Sequence, residues 1–256
     1  MSETLSLVVI TFNEEANIRR CLESVQGIAD EVIVLDSGSQ DQTRAIAAQM
    51  GARVEIHPFD GHIEQKNRVR DMAKSTLVLS LDADEALDEQ LRNAISILKK
   101  EGAPCDAYTM NRLNFYRGKP IKTCGWYPDR KLRLWKNGVG CWAGRNPHDR
   151  YTVPEGTAQG HLSGDILHNT YPDKEALVRQ SKKFAAISAE HLQGKSSATL
   201  WLKMLFGPLF RFVRTWVFQQ GFISGSRGWE LCTWQAREVF LKYRGALRLK
   251  KQNSSA

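Results

Sequence analysis

The sequence contains no apolar run of about 18 residues or more, so no ordinary transmembrane helix is expected. It contains no Cys-x-x-Cys pair. Its five cysteines, Cys21, Cys105, Cys124, Cys141 and Cys232, are scattered, which excludes zinc-ribbon and thioredoxin-like readings. Their odd number points to free thiols in a reducing compartment. The amino terminus, Met1-Ser2-Glu3-Thr4, enters a strand-like run directly, with neither a basic segment nor an apolar one before it, so no secretion signal is expected. No Gly-x-Gly-x-x-Gly follows that first strand, which argues against a dinucleotide-dependent dehydrogenase. Internal repeats and low-complexity segments are also missing.

What is present is a chain of 256 residues, 42% apolar and 25% charged. That composition belongs to a globular protein, and the length to one large domain with or without an appended lobe. The net charge of +8 is unevenly spread. Residues 1–100 hold 11 Lys and Arg against 17 Asp and Glu, whereas residues 174–256 hold 15 against 4. An acidic front thus precedes a strongly basic back, and the back calls for a polyanionic partner, either nucleic acid or an anionic membrane.

The first hundred residues alternate strand and helix. Leu5–Phe12 is a near-continuous apolar run, expected of a strand buried on both faces. Ile18, Leu22 and Val25 mark one face of a helix. Glu31–Asp36 reads as a second buried strand, and Ser39 with Gln42 as a capping box opening the next helix. A third strand is expected over Arg53–His57, a helix over His62–Lys74, a fourth strand over Leu77–Leu81 and a helix over Asp88–Lys100. Strands separated by helices of this length form βαβ units and a parallel sheet. Residues 104–172, with short extended pieces and many glycines and prolines, read as antiparallel additions and functional loops. From Asp173 onward the pattern is helical.

In open α/β sheets, ligands bind beyond the carboxyl ends of the strands. Those ends carry Thr11, Asn13, Glu14 and Glu15, then Asp36, Ser37 and Ser39, then Asp82, Asp84 and Glu85. Two carboxylates spaced as in Asp82-Ala83-Asp84 can hold one divalent cation, Mg2+ or Mn2+, beside a diphosphate. The alternative is a cap on the following helix. Asp36 could accept the imino hydrogen of a pyrimidine base or serve as turn chemistry, and Thr11 and Asn13 could likewise be helix caps.

In order along the chain, Thr11-Phe12-Asn13-Glu14-Glu15, Val34-Leu35-Asp36-Ser37-Gly38-Ser39-Gln40-Asp41-Gln42-Thr43, Gln65-Lys66-Asn67 and Asp82-Ala83-Asp84-Glu85 resemble the successive motifs of family 2 glycosyltransferases with the GT-A fold. Gly125-Trp126-Tyr127-Pro128-Asp129, Leu132-Arg133-Leu134-Trp135 and the late Gly221-Phe222 with Gly228 are similar to the subgroup of lipopolysaccharide-core β-1,4-glucosyltransferases that use UDP-glucose. The resemblance covers nearly the whole chain. It implies an α/β fold, a mostly parallel sheet flanked by helices, with a GT-A catalytic domain over 1–172 and a basic helical lobe over 173–256. Residues 1–100 would be the nucleotide-binding half and 101–172 the acceptor half.

The resemblance also implies roles. Thr11, Asn13, Glu15 and Asp36 match positions that hold the uridine, and Lys66 would reach the donor phosphates. Asp82 would lie by the ribose and diphosphate, and Asp84 would ligate the metal, with His168 completing its shell. His148-Asp149 matches a motif usually written His-Glu, where inverting members keep the catalytic carboxylate. The shorter Asp149 leaves Asp129 as a second candidate base. The implied acceptor is a lipid-linked glycan, with heptose of the lipopolysaccharide core preferred.

The segment Leu200–Ile223 is rich in Leu, Phe and Trp and interrupted by Lys203, Arg211 and Arg214. On a helix Lys203 and Arg214 fall about 20° apart and Arg211 about 80° from Lys203, with Pro208 expected to kink it. A basic flank beside an aromatic face suits a membrane interface, and Arg248, Lys250 and Lys251 add charge. Residues 200–251 are therefore expected to meet an anionic membrane, placing the protein in the cytoplasm, peripheral on the inner face of the cytoplasmic membrane. The rival from another class is a nucleic-acid-binding module using Trp201, Trp216, Trp229 and Trp234 for stacking. No recognised nucleic-acid motif accompanies them, so no nucleic-acid partner is expected. A nucleotide-sugar pyrophosphorylase would want a Gly-rich basic first loop, which Thr11–Glu15 does not offer.

Overall fold

The structure is a computed structural model and describes residues 3–145 and 148–253; the side chains of Arg145 and His148 lie outside the described residues. The strands are β1 (Leu5–Thr11), β2 (Glu31–Asp36), β3 (Arg53–Ile56), β4 (Leu77–Asp82), β5 (Glu85–Leu87), β6 (Ala107–Tyr116), β7 (Lys119–Pro120), β8 (Asp129–Lys136), β9 (Cys141–Arg145), β10 (His148–Thr152) and β11 (Gln159–Tyr171). The helices are α1 (Ile18–Glu23), α2 (Thr43–Gln49), α3 (His62–Asp71), α4 (Glu89–Glu101), α5 (Lys174–Glu190), α6 (Ser197–Val213) and α7 (Gly225–Asn253).

Among the described residues one sheet runs β3-β2-β1-β4-β8-β6-β11-β5, with β7 on β6, and β9 and β10 form a separate ribbon. The pairs β3–β2, β2–β1 and β1–β4 are parallel, whereas β4–β8, β8–β6 and β11–β5 are antiparallel. The sheet is thus mixed. The parallel half follows from the βαβ pattern of the first hundred residues, and the antiparallel half from the extended pieces after them.

Side-chain alternation explains the layering. Leu5, Leu7 and Val9 of β1 and Leu77, Leu79 and Leu81 of β4 join Ile18, Leu22, Leu91 and Ile95 in one core. Val8, Ile33, Leu35 and Val78 point the other way, to Val69 of α3 and to Trp135, Trp142 and Tyr151. A strand covered on both faces is apolar along most of its length, which is why β1 and β4 read as near-continuous hydrophobic runs, interrupted only by the buried Ser6 and Ser80.

Two units emerge from the packing: 1–113 with 129–168, and 114–128 with 169–253. The first holds the sheet's parallel half with α1 to α4. The second holds α5, α6 and α7, with a π-helical turn over Arg214–Phe218 and a 3-10 turn over Gly221–Ser224 between the last two. Its buried centre includes Tyr116, Ile121, Leu177 and Leu231. Gly221 and Gly228 meet there: a Cβ on Gly228 would collide with the carbonyl oxygen of Gly221. Among the described residues no helix is long and apolar enough to cross a membrane.

Several local expectations are corrected. α3 ends at Asp71, short of Lys74, and β5 was not foreseen. The capping box of Ser39 and Gln42 does not form. The Ser39 hydroxyl donates to Asp36 and accepts from the Asn13 amide, and Asp41 instead receives the Thr43 amide and hydroxyl at the start of α2. A tertiary contact to the first loop has outcompeted the local cap. For α4 the cap is Asp88, whose carboxylate accepts from the Leu91 amide at 2.7 Å.

Candidate active site

Strand register brings the polar ends together. Thr11 pairs with Asp36 across β1–β2, and Ile10 with Asp82 across β1–β4, so three carboxyl-terminal residues stop at one level in the first unit. Thr11 is buried, and its hydroxyl oxygen has no hydrogen-bond partner among the described residues.

The loops after β1 and β2 are laced to each other. The Gln40 amide donates to Asn13 Oδ1 (2.9 Å) and the Gln42 amide to Glu15 Oε2 (3.0 Å), while the Asn13 and Glu14 amides donate to Ser39 Oγ and Thr43 Oγ1 (2.8 Å each). Asn13 takes φ +55°, a left-handed conformation that asparagine tolerates better than most residues. Asp36 is fully buried and turned into its own loop, accepting the amides of Gly38 (3.0 Å) and Ser39 (2.8 Å) and the Ser39 hydroxyl. In this structure Asn13, Glu15 and Asp36 therefore brace the loops beyond the carboxyl ends of β1 and β2 by bonds within the chain.

Each residue of Gln65-Lys66-Asn67 has a separate task. Gln65 Nε2 donates to the carbonyls of His57 (3.1 Å) and Pro58 (2.9 Å). Asn67 exchanges two 2.9 Å bonds with the backbone of Trp142, fixing β9 to α3. Lys66 points inward, its ammonium 2.9 Å from Asp82 Oδ1 and 2.8 Å from Asp149 Oδ2, above the Trp142 ring at 4.4 Å.

From Asp82 the alternation of charge continues. Arg133 Nη2 lies 2.8 Å from Asp82 Oδ2 and 3.0 Å from Glu85 Oε1. Arg112 reaches Glu85 at 3.2 Å and Asp129 at 2.8 Å, and Lys131 closes on Asp129 at 2.9 Å. One line of opposite charges thus runs Asp149, Lys66, Asp82, Arg133, Glu85, Arg112, Asp129, Lys131. Burial alone would raise the Asp82 carboxyl, but the charges of Arg133 and Lys66 outweigh it and hold the group well below the usual range. Asp129 follows the same logic: burial pushes it up, and Arg112 and Lys131 bring it below its ordinary value.

Asp84 and His168 stand apart from this line and together, with His168 Nε2 at 3.1 Å from Asp84 Oδ2. The antiparallel pairing of His168 with Glu85 across β11–β5 delivers the imidazole, and Arg20 donates to the Asp84 carbonyl at 2.6 Å. Glu14 borders the pair. Burial raises its carboxyl, and the nearby Asp84, Asp41 and Asp82 push it the same way. A carboxylate and an imidazole in such an acidic surround fit a divalent cation, which could complete its shell with phosphate oxygens and water. Among the described residues no group of three or more His, Cys, Asp or Glu side chains is arranged to hold a metal ion, so Asp84 and His168 would supply two protein ligands at most.

The matching model is that of Glycosyl transferase family 2, over residues 6–146. The chain belongs to this family. Its catalytic unit is an α/β GT-A fold, and the protein is a transferase of sugars; the rival reading of the whole chain as a nucleic-acid-binding module is set aside. An uncharacterized glycosyltransferase of Rickettsia typhi is 28% identical over 88% of this chain and 80% of its own length. The lipopolysaccharide core biosynthesis glycosyltransferase LpsC of Rhizobium meliloti is 26% identical over 85% of this chain and 82% of its own. Among solved structures, glucosyl-3-phosphoglycerate synthase of Mycobacterium tuberculosis, in complex with Mn2+, uridine diphosphate and glucosyl-3-phosphoglycerate, aligns over 65% of this chain and 72% of that one, at 22% identity and a TM-score of 0.45.

The sequence singled out eight of the residues in this crevice for a nucleotide or a metal and two for proton transfer. It gave no role to Glu85, Arg112, Arg133 or Trp142. No local signal marked Arg133: between Leu132 and Leu134 the alternation of a strand turns it to the opposite face, which reads as solvent until the packing of the sheet buries it.

Proposed function

We propose that this glycosyltransferase moves a sugar, with inversion, from a UDP-sugar to a lipid-linked glycan. Glucose is the preferred sugar and heptose of the lipopolysaccharide inner core the preferred acceptor. The observation that carries the catalytic part is the convergence of Lys66, Asp82 and Asp149 beside the Asp84–His168 pair. The envelope acceptor is supported by the relative LpsC, whose name places it in lipopolysaccharide core synthesis.

In this reading Thr11 offers its unpaired hydroxyl to the nucleoside, and Asn13, Glu15 and Asp36 hold the loops that form its rim. Asp84 and His168 would hold a divalent cation, which when bound would neutralise charge on the leaving diphosphate. Lys66 turns from Asp149 toward the phosphates, and Asp82 stays anchored by Arg133. The acceptor oxygen attacks the anomeric carbon from the face opposite the diphosphate. A carbon–oxygen bond to the acceptor forms as the bond to the phosphate oxygen breaks. The electron pair leaves with UDP, and the acceptor's proton passes to the Asp149 carboxylate. One displacement converts an α-linked donor to a β-linked product.

The second unit presents exposed Leu205, Phe206, Leu209, Phe210, Phe218 and Ile223, with Lys203 and Arg214 exposed beside them. We assign this apolar and basic surface to the interface of an anionic membrane.

A donor panel tests the proposal. Purified protein is incubated with Mn2+ or Mg2+ and a series of nucleotide sugars, and released nucleotide diphosphate is measured. UDP-glucose is expected to give the highest rate; turnover confined to a GDP- or dTDP-sugar would overturn the donor assignment.

A further inference from the structure

Helices α6 and α7 pack along each other in the second unit and leave an open groove of about 400 Å3 between them. Pro208 and Phe212 line it from α6, and Trp229, Ala236 and Phe240 from α7. On α7 these residues, with Thr233, recur at steps of three and four, so a single stripe of the helix forms the wall. The small Ala236 between the rings of Trp229 and Phe240 gives the groove its depth. Volumes of this order are those of small-molecule sites.

The lining offers almost nothing polar. Thr233 contributes one hydroxyl, whose oxygen is buried and has no partner among the described residues. An extended peptide laid here would turn part of its backbone toward a lining with one hydroxyl to offer, which disfavours it. A hydrocarbon chain carries no such groups. Charge is supplied at the edge. Arg237 lines the groove and stacks on Trp234 at 5.0 Å, and Arg244, two turns further along α7, stacks on Phe240 at 6.0 Å. Both are exposed, and neither has a carboxylate within ion-pair distance among the described residues. An apolar trough flanked by two unpaired cations complements a molecule with one apolar tail and one anionic head.

We propose that this groove binds a single acyl chain of an anionic lipid, with the chain along Phe212, Trp229, Ala236 and Phe240 and the head group against Arg237 and Arg244. The inference rests on the membrane-surface reading above and narrows it. A bilayer can meet the broad exposed face of α6 without entering a groove, whereas a defined site binds one lipid molecule even where no bilayer exists.

Calorimetry with monomeric dodecyl phosphate, kept below its micelle concentration, tests this on the whole protein, with dodecylphosphocholine as the zwitterionic control. The wild type is expected to bind dodecyl phosphate saturably and the control more weakly. Ala236→Phe, which fills the trough, should weaken both by roughly tenfold or more. Arg237→Gln with Arg244→Gln should remove the preference for the anionic head. All variants should keep their circular dichroism spectrum and their UDP release from donor, because the substituted residues lie outside the first unit. Co-sedimentation with anionic vesicles separates the two readings. Vesicle binding without any saturable dodecyl phosphate binding overturns the groove and leaves the membrane surface standing. Loss of both overturns the membrane surface as well. Unchanged dodecyl phosphate binding in Ala236→Phe overturns the groove, as does a wild-type dimer in sedimentation that Ala236→Phe dissociates, which would make the occupant a second copy of the chain.

Discussion

Lys66 donates to Asp149 Oδ2 at 2.8 Å although 83 positions separate them in the chain. The same ammonium holds Asp82, so one cation is shared between Asp82 and the candidate base. In the proposed reading a bound diphosphate would compete for that cation, and its arrival would release Asp149 to accept a proton. Asp129, the other candidate, has no such release. Arg112 and Lys131 both hold it, and both lower its proton affinity. A carboxylate pinned below its ordinary range is a weak base.

Asp149→Asn is accordingly expected to fold, to bind UDP with metal, and to lose transfer by roughly a hundredfold or more, the usual contribution of a positioned base. Lys66→Met should lower both UDP affinity and transfer. Single-turnover assays with donor and acceptor check this. An active Asp149→Asn beside an inactive Asp129→Asn would move the base to Asp129.

Thr11→Val separates a structural hydroxyl from a binding one. The hydroxyl is buried without a protein partner, so its replacement by an isosteric methyl should leave the melting temperature unchanged or higher. UDP affinity should fall by roughly two- to tenfold, the worth of one neutral hydrogen bond. Titration calorimetry reads the second quantity; an unaltered affinity would remove Thr11 from the nucleotide site.

For the cation, UDP binding measured by calorimetry should weaken on adding EDTA and in Asp84→Ala. His168→Ala should be affected less, because a carboxylate contributes charge as well as a lone pair. Equal affinity with and without EDTA would sink the metal role of both residues.

The depressed carboxyl of Asp129 sets a pH dependence. A group whose folded pKa lies below its unfolded value adds stability that is present above the unfolded value, about 3.9, and is lost as the pH falls through the folded one. The melting-temperature gap between wild type and Asp129→Asn should hence stay level from about pH 5 to 8 and shrink below about pH 4. A gap that narrows near neutrality would mean that the Arg112–Asp129 contact does not control this carboxyl.

Much of the nucleotide half was legible because its signals are local. Near-continuous apolar runs give β1, β2 and β4, and a strand that ends in Asp36 or Asp82 must deliver that carboxylate to the sheet's edge. The start of α4 near Asp88 was readable for the same reason, although its cap was sought in Asp82-Ala83-Asp84 rather than in Asp88. Ser39 does not cap α2 because its hydroxyl is held by Asp36 of its own loop and by the Asn13 amide of the loop after β1; the second of these is a contact between two loops, and no local rule weighs it against capping.

The order of residues along the chain determined that the sheet begins parallel, that acidic groups gather at its carboxyl edge, and that the positive charge lies at the back. Tertiary structure alone decided which charges meet. Antiparallel register carries Arg133 along β4 to Asp82 and sets His168 opposite Glu85, next to Asp84. It also places Arg112 across from Asp129. Register depends on which strands neighbour one another, and a single-residue slip would turn each of these side chains to the other face. That choice is made by packing over the whole sheet, so no local stretch of the sequence contains it.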